Sequence, residues 1–248
     1  MTNLLALTSR ELKAFWYSPI AYVVGALFLL LQGWAFWLLL AVLNDPRVDP
    51  SSTMSQFFFG GTFFFWFSVL LIAPLLTMRT FSEEKRTGTI EFLLTAPVTD
   101  TQVVLAKFLG AWLAYALLWA STVVFFLLLR HFTAFDWGPV LTGYLGTWLL
   151  GGVLIAVGVL TSSLTRNQVI AAVLSFVAIL LLFSVGILDL FIRDPETSNL
   201  IKYLSIIEHL HDFSKGLLDT RPMVFYLSLT GICLFLTGRV IGNPRWRS

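Results

Sequence analysis

Charge is scarce in this chain of 248 residues: Asp, Glu, Lys and Arg make up 12% of it, against 57% hydrophobic residues. A soluble domain of this size carries about 25% charged residues. A core able to hide so much apolar surface does not fit in 248 residues, so a bilayer must act as the solvent. Cysteine is almost absent. Cys233 stands alone, which excludes an intrachain disulfide and leaves the redox compartment unread. No G-x-x-x-x-G-K-S/T phosphate loop occurs. ATP hydrolysis by that route is excluded, and any ATPase that drives this chain is expected to be another polypeptide.

What is present is six long apolar runs, at 20–43, 57–78, 106–129, 139–162, 168–189 and 222–241. A spanning helix needs about 20 apolar residues. Backbone groups in lipid must be satisfied internally, so the runs predict helices. A barrel would show alternating strands of ~10 residues instead. The expected fold class is an all-α integral membrane protein with six transmembrane helices. The first run begins late, at Ile20, and is longer than a signal-peptide core, so it is expected to remain as an anchor. The middles of all six runs lack Asp, Glu, Lys, Arg and His. Such residues mark ion and proton paths in membranes. Their absence counts against a proton-driven secondary transporter, an intramembrane protease and a metalloenzyme. No catalytic residue, no metal ligand and no nucleic-acid partner are expected.

Lys and Arg concentrate on the cytoplasmic side of membrane proteins. Arg10, Lys13, Arg79, Lys85, Arg86, Lys107, Arg166, Arg239, Arg245 and Arg247 fall on the side shared by both termini. Arg47, Arg130, Arg193, Lys202, Lys215 and Arg221 fall on the other. Ten against six predicts that both termini lie in the cytoplasm.

Residues 1–248 read as a single transmembrane domain with three appendages. Residues 1–19 hold an amphipathic stretch with Leu4, Leu5, Leu12, Phe15 and Trp16 apolar and Arg10, Glu11 and Lys13 charged. Trp16, Tyr17 and Tyr22 suit the headgroup level, so an interfacial helix is expected, with a fraying tail as the alternative. Ser18-Pro19 ends it. Residues 190–221 form an external segment. Leu200, Ile201, Leu204, Ile207, Leu210, Phe213 and Leu217 recur there at helical spacing, which predicts one or two short amphipathic helices. Glu208, His209, His211 and Asp212 are the only metal-like cluster. Two residues apart on a helix, the histidines point about 200° from each other, so polar capping is the better account. In the fourth run Gly143, Thr147 and Gly151 form one small-residue row, and Gly152 and Ala156 another. Such rows allow close helix approach, within a subunit or across a dimer.

The third appendage, residues 79–105, is the charged segment between runs two and three. Ser82-Glu83-Glu84-Lys85-Arg86 reads as a polar turn or helix. Thr87-Gly88 breaks it, because Gly is costly inside a helix and favoured at its end. Thr89 can cap a further short helix with Ile90, Leu93 and Leu94 on one face and Glu91 elsewhere. Ala96-Pro97 ends it, and Thr99 or Asp100 can cap the next helix. Composition leaves two accounts equally open: a solvated loop, or a knob held between two spans.

The stretch Glu83-Glu84-Lys85-Arg86-Thr87-Gly88-Thr89-Ile90-Glu91-Phe92-Leu93-Leu94-Thr95-Ala96-Pro97-Val98, followed by Lys107, resembles the signature of ABC type-2 exporter permeases. The opening Arg10-Glu11-Leu12-Lys13-Ala14-Phe15-Trp16-Tyr17-Ser18-Pro19-Ile20-Ala21-Tyr22 resembles the gliding-motility and copper-processing branch of that family. So does Glu208-His209-Leu210-His211-Asp212-Phe213-Ser214-Lys215-Gly216-Leu217-Leu218-Asp219. The resemblance implies a permease subunit paired with a second copy or a paralogue and with two cytoplasmic ABC ATPase subunits. It implies that ATP and Mg are bound by those partners, with no cofactor in this chain, and it admits a periplasmic-domain partner. It implies that Thr89, Ile90, Glu91, Leu93 and Leu94 sit in a coupling helix against the ATPase, with Glu83, Glu84, Lys85 and Arg86 making flanking polar contacts. A membrane scaffold whose ATPase does mechanical or assembly work, and which moves no solute, is the alternative function.

Overall fold

The computed structural model describes residues 2–45, 47–89, 99–189 and 194–242, and among them there is helix and no strand. The helices are α1 (Thr2–Trp16), α2 (Pro19–Leu43), α3 (Pro50–Phe58), α4 (Phe63–Thr77), α5 (Ser82–Thr87), α6 (Asp100–Ser121), α7 (Val123–Arg130), α8 (Trp137–Ser163), α9 (Gln168–Leu188), α10 (Pro195–Leu204), α11 (Ile206–Ser214) and α12 (Thr220–Gly242). Six stretches are long and apolar enough to cross a membrane: α2, α4 running on into α5, α6 with α7, α8, α9 and α12.

Local chemistry sets the helix starts. Ser18 caps α2 by accepting from the Ile20 N–H, with Pro19 at the first helical position. Thr99 and Gln102 form a reciprocal capping box that starts α6 at Asp100, so the third span begins six residues before the apolar run at 106. The second span also differs from its run. Residues 57–58 belong to α3, and the span proper starts at Phe63, capped by the Thr62 hydroxyl. Gly60, at φ 105°, occupies the turn between them. Apolar composition runs unbroken across this turn and hides it.

The fourth span is the axis of the fold. In its apolar window 78% of residues are buried, against 28% in α2 and 22% in each of α9 and α12. The latter three therefore keep most of their surface on the outside of the bundle. Small residues in α8 let its neighbours close in. A Cβ placed on Gly151 would lie 2.1 Å from the Tyr115 ring, and one on Gly143 would lie 2.4 Å from the Phe59 ring. The row Gly143, Thr147, Gly151 is thus used for packing inside one subunit. Gly152 is looser, with its nearest neighbour at 3.6 Å.

At the end of the bundle formed by α3, α10 and α11, the 190–221 segment holds two short helices parted at Ser205, whose hydroxyl caps α11. Ile206, Leu210 and Phe213 are buried. The Thr142 hydroxyl donates to the Phe213 carbonyl at 2.7 Å, and the Tyr226 hydroxyl to that of Ile206 at 2.9 Å. Leu204 and Leu217, which fit the same sequence period, are exposed, because the Ser205 break and the turn at Gly216 carry them off the packed face.

One polar contact joins the first two spans in the membrane: Gln32 Nε2 donates to Ser68 Oγ at 2.7 Å. Ser68 also donates to the Phe65 carbonyl, and Gln32 Oε1 is buried without a partner among the described residues. Gln32→Leu removes one hydrogen bond and one orphan acceptor together, while Ser68 keeps its acceptor. The expected cost is at most about 0.6 kcal/mol, the average for such bonds in membranes. Thermal unfolding in mild detergent checks it; a loss beyond the ~1.7 kcal/mol maximum for such bonds would contradict this bonding pattern.

Candidate functional site

The opposite end of the bundle holds a concentration of charge. Lys107, on the second turn of α6, is 3% exposed. An ammonium buried this deeply is costly unless it is paired. Its Nζ lies 2.7 Å from Glu84 Oε1 on α5 and 3.5 Å from Glu11 Oε2 on α1. The Phe81 ring centroid is 5.1 Å away and adds a cation–π contact. Arg10 completes the group, 2.8 Å from Glu11 Oε1 and 3.9 Å from Glu84 Oε1. Two cations and two carboxylates make a neutral quartet drawn from three helices. The hydrogen bond that Arg10 donates to the Glu11 carboxylate raises the pKa of its guanidinium above the ordinary value, against partial burial. The close approach of α1 depends on Gly110, where a Cβ would meet that of Glu11 at 2.7 Å.

A second set of bonds fastens α5 to the end of α8. The Phe81 and Ser82 N–H groups both donate to Ser162 Oγ, at 3.1 and 3.2 Å. Lys85 Nζ donates to the Ser163 carbonyl. Arg79 reaches two further spans: Nε donates to Gln168 Oε1 at 3.1 Å, at the start of α9, and a terminal nitrogen to Ser18 Oγ at 3.4 Å, at the start of α2. The segment leaving the second span is thus bonded to α1, α2, α6, α8 and α9.

The residues singled out from sequence divide into three groups. Glu84 and Lys85 turn inward and bond within the chain. Glu83 and Arg86 stay at the surface, 3.8 Å apart, a pair worth little by itself. Gly88 ends α5 at φ 72°, the left-handed conformation that glycine adopts without penalty. Thr89 beyond it is exposed, and its hydroxyl lies 2.9 Å from that of Thr87. Ile90, Glu91, Leu93 and Leu94, the apolar knob, lie outside the described residues.

Sequence reasoning left Arg10, Glu11, Arg79, Lys107, Ser162 and Ser163 out of this site. A signal for Glu11 was available. Lys107 is the one Lys or Arg inside the run at 106–129, and a cation there calls for an acid from another element. Nothing in the sequence marks the two serines.

At the other end, His209 is buried. Its Nε2 lies 3.0 Å from the Tyr203 carbonyl and its ring 4.9 Å from that of Phe225. His211 is exposed. Among the described residues no three His, Cys, Asp or Glu side chains gather to hold a metal.

A family model described as ABC-2 family transporter protein matches residues 40–207. The chain belongs to the ABC-2 transporter family. The match covers α5, Lys107 and the second to fifth spans, while Glu11 lies before it. No curated protein matches the chain. Membership makes this a multi-pass membrane protein, the permease component of an ABC transporter and itself non-catalytic. It also implies association with an ABC ATPase.

Proposed function

We propose that this permease is an exporter subunit, driven by a separate ATPase that presses on residues 79–97 from the cytoplasm. Both termini face the cytoplasm of a bacterial inner membrane, as the distribution of Lys and Arg favours. Two such subunits, identical or paralogous, work with two ATPases that bind ATP and Mg. The observation that carries the proposal is the buried Lys107 joint. It ties the segment between spans two and three to α1 and α6, and the Ser162 and Lys85 bonds tie it to α8.

A displacement of residues 89–97 is then not absorbed locally. α5 moves with the cytoplasmic ends of the spans bonded to it. The core around α8 is close-packed, so these ends shift as a body. Glu83 and Arg86 present polar contacts to the ATPase, while Glu84 and Lys85 pass the motion inward.

The test uses the Walker-type ATPase that co-purifies with the tagged chain from native membranes. Leu93→Asp and Glu91→Arg are expected to insert normally and to lower ATPase recovery roughly tenfold, the equivalent of about 1.4 kcal/mol. Wild-type recovery with both variants would remove residues 89–97 from the contact.

A further inference from the structure

At the end of the bundle away from the Lys107 joint lies a cavity of about 510 Å3, bounded by α3, the Gly60 turn, the start of α4 and α11. Small-molecule sites span roughly 300–1,000 Å3, so its size suits a whole small molecule. Part of its wall is aromatic, with Phe57 and Trp66 both lining it. Trp66 is fixed in place. Its indole N–H donates to the Gly60 carbonyl at 2.7 Å, and its ring packs edge-on against Phe183, with centroids 5.0 Å apart. An indole has one donor only, so this ring has its π-surface to offer a ligand and no N–H.

The charge in the wall has one sign. Glu208, one helical turn before His211 on α11, is the one carboxylate there, and no Lys or Arg lines the cavity. Glu208 is exposed, and among the described residues no cation pairs with it. α3 ends against the same cavity, with Gln56 and Phe57 in its last turn. The last carbonyls of a helix lack helical partners and give that end a partial negative charge. Gly61 keeps the chain close to them, since a Cβ on it would lie 2.7 Å from the Gln56 carbonyl oxygen. An aromatic ring, a carboxylate and a helix C-terminus each favour a cation and disfavour an anion. Among the described residues no third His, Cys, Asp or Glu joins Glu208 and His211 to hold a metal.

We propose that this cavity binds a small organic ammonium ion with an apolar body. The ammonium lies against the Trp66 ring in a cation–π contact. It faces Glu208 and the carbonyl end of α3, and the apolar body packs on Phe57. The proposal rests on the cavity and not on the exporter reading or the ATPase contact.

The experiment places the purified full chain in phosphatidylcholine nanodiscs and titrates it by calorimetry with three probes that share a phenyl body. These are 2-phenylethylammonium, the neutral 2-phenylethanol and the anionic 3-phenylpropionate. Saturable binding of the cation is expected to be roughly ten times tighter than that of the alcohol, and the acid is expected to bind more weakly still. Glu208→Gln, at an exposed position, is expected to weaken cation binding about fivefold and to leave the alcohol unchanged. Thr53→Trp narrows the cavity from α3 without touching a charge and is expected to abolish binding of both. Partition of the probes into the lipid is the same for wild type and variants, so it cancels in the comparison. No saturable binding of the cation, equal binding of the three probes, tighter binding of the acid, or cation binding unchanged in either variant would overturn the proposal. No ATPase is present in the assay, so its failure leaves the coupling proposal standing.

Discussion

Lys107→Met is expected to insert and to lose both stability and coupling. The substitution leaves the Glu84 and Glu11 carboxylates beside each other with their buried cation gone. Breaking a fully buried pair costs about 3–5 kcal/mol. Both acids keep 20% of their side-chain surface in solvent, which lowers the expectation to about 2 kcal/mol. Unfolding of the purified variant in mild detergent measures this. A merely structural lysine would show nothing more. The joint predicts in addition that the partner ATPase still binds but that its activity no longer responds to the permease. Adding Glu84→Gln to Lys107→Met removes one stranded charge and is expected to restore part of the loss, with a coupling energy of about 1 kcal/mol or more. Additive effects of the two substitutions would mean that the salt bridge contributes nothing to the fold.

Gly151→Ala is the second large effect. Its new methyl group would sit 2.1 Å from the Tyr115 ring. Tyr115 is fully buried between α6 and α8 and packs near Trp119, with ring centroids 6.2 Å apart. The ring cannot swing away without displacing its neighbours, and overpacking of this kind costs about 1–3 kcal/mol. Gly152→Ala, one residue along the same helix, is the control. It meets nothing closer than 3.6 Å and gains the helix propensity of alanine, up to about 1 kcal/mol. The two variants should therefore shift the unfolding temperature in opposite directions. Equal shifts would contradict the close packing of α6 on α8.

The six spans are legible because the bilayer demands one simple feature, an uninterrupted apolar run. The breaks at Ser18-Pro19 and at Gly88 are legible for a similar reason, since each depends on a residue and its immediate neighbours. The turn at Gly60 is not legible in that way. Phe57 to Phe59 and Phe63 to Phe67 read as one apolar run, and the short helix α3 is held by tertiary contacts. Among these are the buried Met54 and Phe58 and the bond from Ser55 Oγ to the Pro139 carbonyl. The charged segment shows the same divide. Its residue types mark it as a place to grip. Which carboxylate faces outward is decided by partners 74 and 23 positions away from Glu84, namely Arg10 and Lys107. No local pattern encodes that choice.

The most direct test of ATPase drive through this segment is a photo-reactive amino acid placed at Arg86 or, separately, at Tyr203. Both side chains are exposed, at opposite ends of the bundle. Crosslinking in native membranes is expected to yield an adduct with a Walker-type ATPase from position 86 and none from position 203. An ATPase that co-purifies yet crosslinks only from position 203, or from neither position, would contradict the account.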